Sequence, residues 1–231
     1  MFKKLILSIV LFLSVASVLN ADVLSCDSEF VLGQDTYTYT GINMVNSSGA
    51  YSPRGACIDS MNNRAFMADT GNHRILVWND LNGLTSGKGA DAVLGQPDFG
   101  STAANFGGRG AKTLDTPQGI TVDASGNLWV ADYWNNRVLR FNAPFSNYQS
   151  ATLVLGQAGF STGGPALTQA GFENPADVAF DPNGNLLVAD SNNGRVLRFS
   201  SPFSSNMDAD LVLGSTDYIV NRGLINRGKP G

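Results

Sequence analysis

The sequence has very little histidine and no surplus of positive charge, and each shortage excludes a class of function. Of its 231 residues only His73 is a histidine, so the chain cannot supply the several histidine ligands of a catalytic zinc site. His73 would also have to act as the base for any serine nucleophile, and no Gly-x-Ser-x-Gly motif is present. The net charge of −4 argues against binding along a nucleic-acid backbone. We therefore expect no catalytic residues, no metal, no cofactor and no nucleic-acid partner.

Apolar runs long enough to cross a membrane are also missing. The one extended apolar run, residues 5–19, is short for a membrane span. Two lysines precede it and Ala21 follows it, which is typical of a secretory signal peptide over residues 1–21. We expect cleavage after Ala21, with cleavage after Ala16 or an uncleaved anchor as alternatives. This predicts a secreted or periplasmic protein with no stable membrane insertion after cleavage.

Cysteine is scarce as well, with only Cys26 and Cys57. Export permits a disulfide between them, which would stabilise the fold by restricting the unfolded chain. Alternatively, Cys57 is a small buried residue, since it occupies a repeat position that holds Thr121 and Ala179 elsewhere. The sequence leaves both interpretations open.

A repeat fills most of the chain. Val-Leu-Gly-Gln begins at Val31, Val93 and Val154, and Val-Leu-Gly-Ser begins at Val212, with spacings of 62, 61 and 58 residues. Between these marks a second block recurs, with Gly-Ile-Thr-Val-Asp, Gly-Asn-Leu-Trp-Val-Ala-Asp and Asn-Asn-Arg-Val-Leu-Arg-Phe over residues 119–141. Such a repeat indicates one supersecondary unit used several times.

Each unit predicts four short antiparallel strands, which we call A, B, C and D. In the second copy they cover residues 120–123, 128–131, 138–141 and 153–155, separated by Gly, Asn, Asp and Ser turns. A four-stranded unit cannot bury both of its faces alone. Radial stacking of such units gives an all-β fold, a β-propeller of four-stranded antiparallel blades.

The blocks at residues 53–78, 117–141 and 175–199 resemble the NHL repeat in their Pro-x-Gly-Ile-x-Val-Asp, Gly-Asn-Leu-x-Val-Ala-Asp and Asn-x-Arg-Val elements. The long units with Leu-Gly-Gln-Pro-Asp-Phe are similar to those of exported bacterial NHL proteins. The resemblance implies a propeller used mainly to bind protein or nucleic acid. One branch of the family, the peptidyl-hydroxyglycine amidating lyases, is enzymatic.

The blade count is low for a closed ring, because propellers have four to eight blades. Residues 22–231 give three blades, a leading D strand at Val31–Gly33 and a tail, 216–231, that starts a further repeat. We expect a partial or truncated ring, in which the first and third blades each leave one apolar sheet face open to water. Either downstream blades complete it, or two chains pair head to tail so that each leading strand completes the last blade of the other.

Polar residues recur at the B–C turn of every copy. We expect the Asp and Asn to hold the turn and the Arg to pair with the Asp; a ring of ligand-binding groups is the alternative. These structural turn residues are Asp69, Asn72, Arg74, Asp132, Asn135, Arg137, Asp190, Asn193 and Arg195. His73 lies in the first of these turns, and we expect it to be solvated.

The B–C turns and the long D–A connections should share one face of the propeller, where ligands usually bind. The expected ligand-binding residues on this face are Tyr133, Trp134, Arg109 and Phe106. The alternative for the loop phenylalanines is inward packing. Together these features predict an exported scaffold that binds a protein, peptide or glycan without catalysis. The alternative is a propeller-type enzyme, similar to the amidating lyases or to lactonases.

Overall fold

A computed structural model describes residues 31–34 and 43–219. The predicted signal peptide, Cys26 and the tail beyond residue 219 lie outside these residues, so the cleavage site and the Cys26–Cys57 disulfide stay predictions. Across the two described ranges, no helix is both long enough and apolar enough to span a bilayer.

The described residues form three four-stranded antiparallel sheets, here called blades 1 to 3. Blade 1 contains β1 (Gly55–Asp59), β2 (Arg64–Asp69), β3 (Arg74–Trp78) and β4 (Ala92–Leu94). Blade 2 contains β5 (Pro117–Val122), β6 (Leu128–Asp132), β7 (Arg137–Phe141) and β8 (Leu153–Leu155). Blade 3 contains β9 (Pro175–Phe180), β10 (Leu186–Asp190), β11 (Arg195–Phe199) and β12 (Leu211–Leu213). Short 3₁₀ turns cover Thr70–Asn72, Leu81–Gly83 and Tyr133–Asn135.

The blades stack around their A strands, because β5 contacts both β1 and β9. Side chains alternate along each strand, so every blade offers one apolar face to each neighbour. In β7, Leu139 packs in the core between blades 1 and 2, whereas Val138 packs in the core between blades 2 and 3. Burial on both faces explains why these strands are almost continuously apolar.

The A strands of neighbouring blades approach to backbone contact. A β-carbon at Gly55 would lie 2.2 Å from the carbonyl oxygen of Gln118, and one at Gly119 would lie 2.5 Å from the α-carbon of Asp177. Only glycine permits this spacing. In blade 3 the same position holds Asp177, which is exposed.

Blade 1 does not leave an apolar face open. On the side away from blade 2, Leu76, Trp78 and Val93 are at most 1% exposed. Leu32 and Leu84 pack against them. The expected exposed face is therefore wrong for blade 1, because the N-terminal segment and the connection between β3 and β4 cover it.

The pairing of two chains stays a prediction, but the leading strand of one chain cannot complete blade 3 of another as expected. Blade 3 already has its D strand, β12, which pairs with β11. A leading strand from a second chain would find that place taken. The leading segment, Val31–Gly33, lies against blade 1 and belongs to none of the three sheets.

Candidate functional site

The B–C turn of blade 2 is organised by Asp132, which is completely buried. Its Oδ1 accepts a hydrogen bond from the backbone N–H of Asp115 at 2.7 Å. Its Oδ2 accepts from Asn135 Nδ2 at 2.8 Å and from Arg137 Nε at 2.7 Å. Burial raises the pKa of Asp132 above its usual value, against the lowering effect of Arg137 and these hydrogen bonds.

Arg137 joins two connections that are distant in sequence. Its Nη2 donates to the carbonyl oxygens of Gly110 (3.1 Å) and Thr113 (2.8 Å) in the connection before blade 2. Its Nη1 donates to the carbonyl oxygen of Phe160 in the connection after blade 2. A planar guanidinium with five donors suits this bridging position.

Blades 1 and 3 repeat this arrangement. Arg74 pairs with Asp69 at 2.6 Å and Arg195 pairs with Asp190 at 2.7 Å, all without side-chain exposure. Both arginines also donate to loop carbonyls on either side of their blade. These polar atoms already have hydrogen-bond partners within the protein. The contacts therefore favour the structural interpretation of the nine turn residues over a ring of ligand-binding groups.

His73 is not a solvated turn residue. Its Nδ1 accepts the backbone N–H of Thr116, in the connection to blade 2, at 3.0 Å. Asn136 occupies the same place in blade 2, and its Oδ1 accepts the backbone N–H of Asn174 at 2.8 Å. Each residue therefore fastens its blade to the next one. The residue type differs between the two copies, but both side chains offer an acceptor at the same position of the turn.

A carboxylate lies beside this histidine. Asp115 Oδ1 is 3.3 Å from His73 Nδ1. The hydrogen bond with His73 holds the pKa of Asp115 below its usual value. Because one ring nitrogen cannot accept from the Thr116 N–H and donate to Asp115 at the same time, these two contacts of Nδ1 are alternatives.

The residues in the described ranges do not form a metal centre. Nowhere among them do three His, Cys, Asp or Glu side chains converge on one point. Burial raises the pKa of Cys57 to about 12, so its thiol is a poor metal ligand at neutral pH. A catalytic zinc site therefore does not fit this part of the chain.

The surface beside the second B–C turn is the best candidate for ligand binding. Trp134 is 56% exposed, and Tyr133 meets it edge to face with ring centroids 5.3 Å apart. Arg109 is exposed, and its Nε donates to Asn135 Oδ1 at 2.6 Å. Asn135 thus brings Arg109 to the turn that carries the two aromatic rings. We call Arg109, Tyr133 and Trp134 the aromatic–arginine patch.

The loop phenylalanines divide between the surface and the core. Phe106 is 39% exposed on the same connection as Arg109. Phe172 is fully buried against Phe199. Phe99 and Phe160 pack against hydrophobic clusters of the blades. Only Phe106 of these four is available on the surface for a ligand.

The comparisons with known proteins identify the repeat. The family model described as "NHL repeat" matches residues 114–141 and 172–199, which contain the A, B and C strands of blades 2 and 3. Peptidyl-glycine alpha-amidating monooxygenase A of Xenopus laevis is 40% identical over 86 residues, covering 36% of this chain and 8% of that protein.

A second relative is a Caenorhabditis elegans protein named as a probable peptidyl-alpha-hydroxyglycine alpha-amidating lyase. It is 34% identical over 93 residues, covering 40% of this chain and 25% of that protein. The chain thus spans a quarter or less of these two relatives. Among solved structures, virginiamycin B lyase from Staphylococcus aureus matches with a TM-score of 0.39 and 16% identity, covering 64% of this chain and 38% of that one.

These findings correct the expected function. Both curated relatives are named as enzymes, so the prediction of a scaffold without catalysis is wrong and the enzymatic alternative fits better. The fold prediction is confirmed by the three four-stranded sheets and by the repeats that the family model finds. The chain contains NHL repeats at residues 114–141 and 172–199, and its three sheets are blades of a β-propeller.

Proposed function

We propose that this chain is part of a propeller-type lyase that acts on peptides ending in α-hydroxyglycine. The observation that carries the proposal is the 34% identity over 93 residues with the C. elegans protein named for this activity. The identity of 40% over 86 residues with the Xenopus protein supports it. An exported enzyme would meet such peptides in the periplasm or outside the cell.

The reaction named for that relative breaks the bond between the amide nitrogen and the hydroxylated carbon. The hydroxyl proton is removed, the carbon becomes the aldehyde of glyoxylate, and the nitrogen gains a proton to form the peptide amide. No electrons are exchanged with a cofactor. The step needs an acid and a base, and we assign neither to the described residues.

We place substrate binding on the aromatic–arginine patch. The substrate ends in a carboxylate, and the guanidinium of Arg109 is a suitable partner for it. Asn135 fixes one edge of that guanidinium, which lowers the entropy lost on binding. The exposed ring of Trp134 can cover the preceding side chain of the peptide, as aromatic residues commonly do at recognition sites. Phe106 adds a further apolar contact on the same face.

The test is an assay with N-benzoyl-α-hydroxyglycine, in which benzamide and glyoxylate are measured separately. We expect equal amounts of both products, above the rate without protein. Trp134→Ala and Arg109→Ala should raise KM about tenfold, which corresponds to about 1.4 kcal/mol of binding. Met61→Ala is the control, because Met61 is 83% exposed in the turn between β1 and β2, on the opposite face.

The proposal would be wrong if folded protein, with or without added Zn²⁺, released no glyoxylate at millimolar substrate. A metal measurement on the same sample is informative. Stoichiometric zinc would show that ligands outside the described residues complete a metal site.

A further inference from the structure

Arg109 carries the one charge at its place in the three described blades. The carbonyl of the residue after it accepts a hydrogen bond from the buried arginine of blade 2. The carbonyls of Asn46 and Thr168 accept the same hydrogen bond in blades 1 and 3. The equivalents of Arg109 are therefore the preceding residues, Val45 and Leu167. The scaffold is alike in all three blades, so it does not explain why one of them has a cation here.

The Nε side of the Arg109 guanidinium is held by an amide whose orientation is fixed. Its Nε donates to Asn135 Oδ1 at 2.6 Å, and Asn135 is completely buried. The amide nitrogen of Asn135 donates to Asp132 Oδ2 at 2.8 Å, and this oxygen also accepts from Arg137. Because Asp132 Oδ2 is an acceptor, the nitrogen of Asn135 must face it and the oxygen must face Arg109.

One face of the same guanidinium lies against Gly163, in the connection after blade 2. A β-carbon at Gly163 would lie 2.5 Å from Arg109 Cζ and 2.6 Å from both Nε and Nη1. These distances are far shorter than the usual contact of about 3.5 Å between non-bonded atoms. Any side chain at position 163 would therefore push the guanidinium out of its place.

The backbone itself does not require glycine at this position. The buried glutamine that follows each D strand donates to the carbonyl of Ala103 in one connection and of Gly164 in the next. The residues before these two, Thr102 and Gly163, are therefore equivalent, and Gly163 does not adopt a positive φ. Since threonine is accepted at the same place, glycine at position 163 serves to leave room for Arg109.

The two Nη atoms of Arg109 form the edge that remains for a ligand. In the part of the chain that the structure describes, neither of them has a hydrogen-bond partner, and Arg109 is exposed. The neighbouring carboxylate of Asp115 accepts instead from Thr116 Oγ1 at 3.1 Å and from Asn105 Nδ2 at 3.3 Å. Two parallel N–H groups on one edge match the two oxygens of a carboxylate.

We propose that Arg109, Asn135 and Gly163 form a site for a terminal carboxylate, in which Gly163 is a positioning residue for the guanidinium. The ligand is an acylated glycine or a peptide that ends in glycine, and its α-carbon need not be hydroxylated, because the guanidinium pairs with the carboxylate alone. The choice of ligand rests on the proposed function, whereas the binding itself needs no turnover.

The test measures binding by calorimetry with two ligands that cannot be cleaved. N-benzoylglycine has the carboxylate without the hydroxyl, and N-benzoylglycinamide lacks the carboxylate. We expect the protein to bind N-benzoylglycine at least about tenfold more tightly than the amide. Gly163→Ala should weaken N-benzoylglycine by about tenfold and leave the amide unchanged. Gly164→Ala is the matched control, because a β-carbon there has nothing within 4 Å.

Two further variants show whether Gly163 acts through Arg109. In an Arg109→Ala background, Gly163→Ala should have no additional effect. Arg109→Lys leaves the backbone unchanged, and it should lose the preference for N-benzoylglycine because an ammonium group has no planar edge. Equal weakening of both ligands by Gly163→Ala, additive losses with Arg109→Ala, or the same loss in Gly164→Ala would each overturn the proposal.

The carboxylate site and the lyase activity can fail separately. Selective binding of N-benzoylglycine by a protein that does not cleave N-benzoyl-α-hydroxyglycine would refute the lyase and support the site. Cleavage that is accompanied by no selective effect of Gly163→Ala would support the lyase and refute the site.

Discussion

At the scale of single residues, the buried arginines carry the arrangement of the propeller face. Each guanidinium donates hydrogen bonds to three loop carbonyls as well as to its aspartate. It thereby holds together the two connections that lie on opposite sides of its blade. The sequence predicts the pairing of Arg137 with Asp132 because the spacing recurs in every copy. It does not predict Gly110, Thr113 and Phe160 as partners, since backbone carbonyls of irregular loops leave no pattern in the sequence.

We expect Arg137→Ala to lower the free energy of unfolding by ~3 kcal/mol or more, because it leaves a buried carboxylate and loop carbonyls without their donor. Arg140→Ala on the same strand is the control. Its guanidinium is only partly buried and its hydrogen bond to Thr152 is exposed, so its loss should cost less than ~1 kcal/mol. Urea denaturation of both variants measures the difference. Equal stabilities would contradict the structural interpretation of the turn residues.

At the scale of strands and turns, the repeat predicts most of what is observed. The predicted D strand at residues 153–155 is β8, and the predicted B and C strands differ from β6 and β7 by one residue. Alternating burial and fixed turn residues make this possible. The fastening of one blade to the next could not be predicted, because Thr116 donates through its backbone and any residue would have the same N–H.

The hydrogen bond between His73 and the Thr116 N–H can be tested by substituting the residue that occupies the same place in blade 2. His73→Asn places an amide where Asn136 already accepts a backbone N–H, so we expect it to keep stability at pH 7 within ~0.5 kcal/mol. His73→Ala removes the acceptor of the Thr116 N–H and should cost ~1–2 kcal/mol. Thermal and urea unfolding at pH 7 compare the three proteins. If the two variants were equally destabilised, the hydrogen bond to the Thr116 N–H would not be what stabilises the fold at this position.

The same variants report on Asp115. Its pKa is lowered in the folded state, so its carboxylate stabilises the fold above its ordinary titration range near pH 4, and this contribution is lost as the pH falls through the lowered value. Because the hydrogen bond with His73 is the largest cause of that shift, the acid-dependent loss should be smaller in His73→Asn. Unfolding curves between pH 6 and pH 3 show this, and parallel curves for wild type and variant would exclude it.

At the scale of the whole molecule, the sequence correctly predicts a β-propeller, but the prediction of a scaffold without catalysis is wrong. A single histidine argued against a metal enzyme, yet the relatives are named as amidating enzymes. Composition describes only the residues present, whereas a catalytic site in a ring can draw on several blades. The open face expected on blade 1 was wrong for a related reason, since irregular segments cover it.

Export remains a prediction about residues 1–21. We expect the mature chain to begin at Asp22 and to appear outside the cytoplasm. Mass spectrometry of the N-terminal peptide from the secreted or periplasmic fraction is the measurement. An intact Met1 in that fraction would show that the segment is not removed.

The contact between neighbouring A strands has a consequence for how such a protein can evolve or be engineered. Gly55 and Gly119 allow the next blade to approach at backbone distance, whereas Asp177 carries a side chain at the equivalent position. The three blades are therefore not interchangeable modules, although their sequences look alike. We expect a duplicated blade 1 or 2 to fit before a neighbour at the existing spacing, and a duplicated blade 3 to hold its successor further away because of the Asp177 side chain. The order in which blades are duplicated should therefore change the spacing between neighbouring A strands.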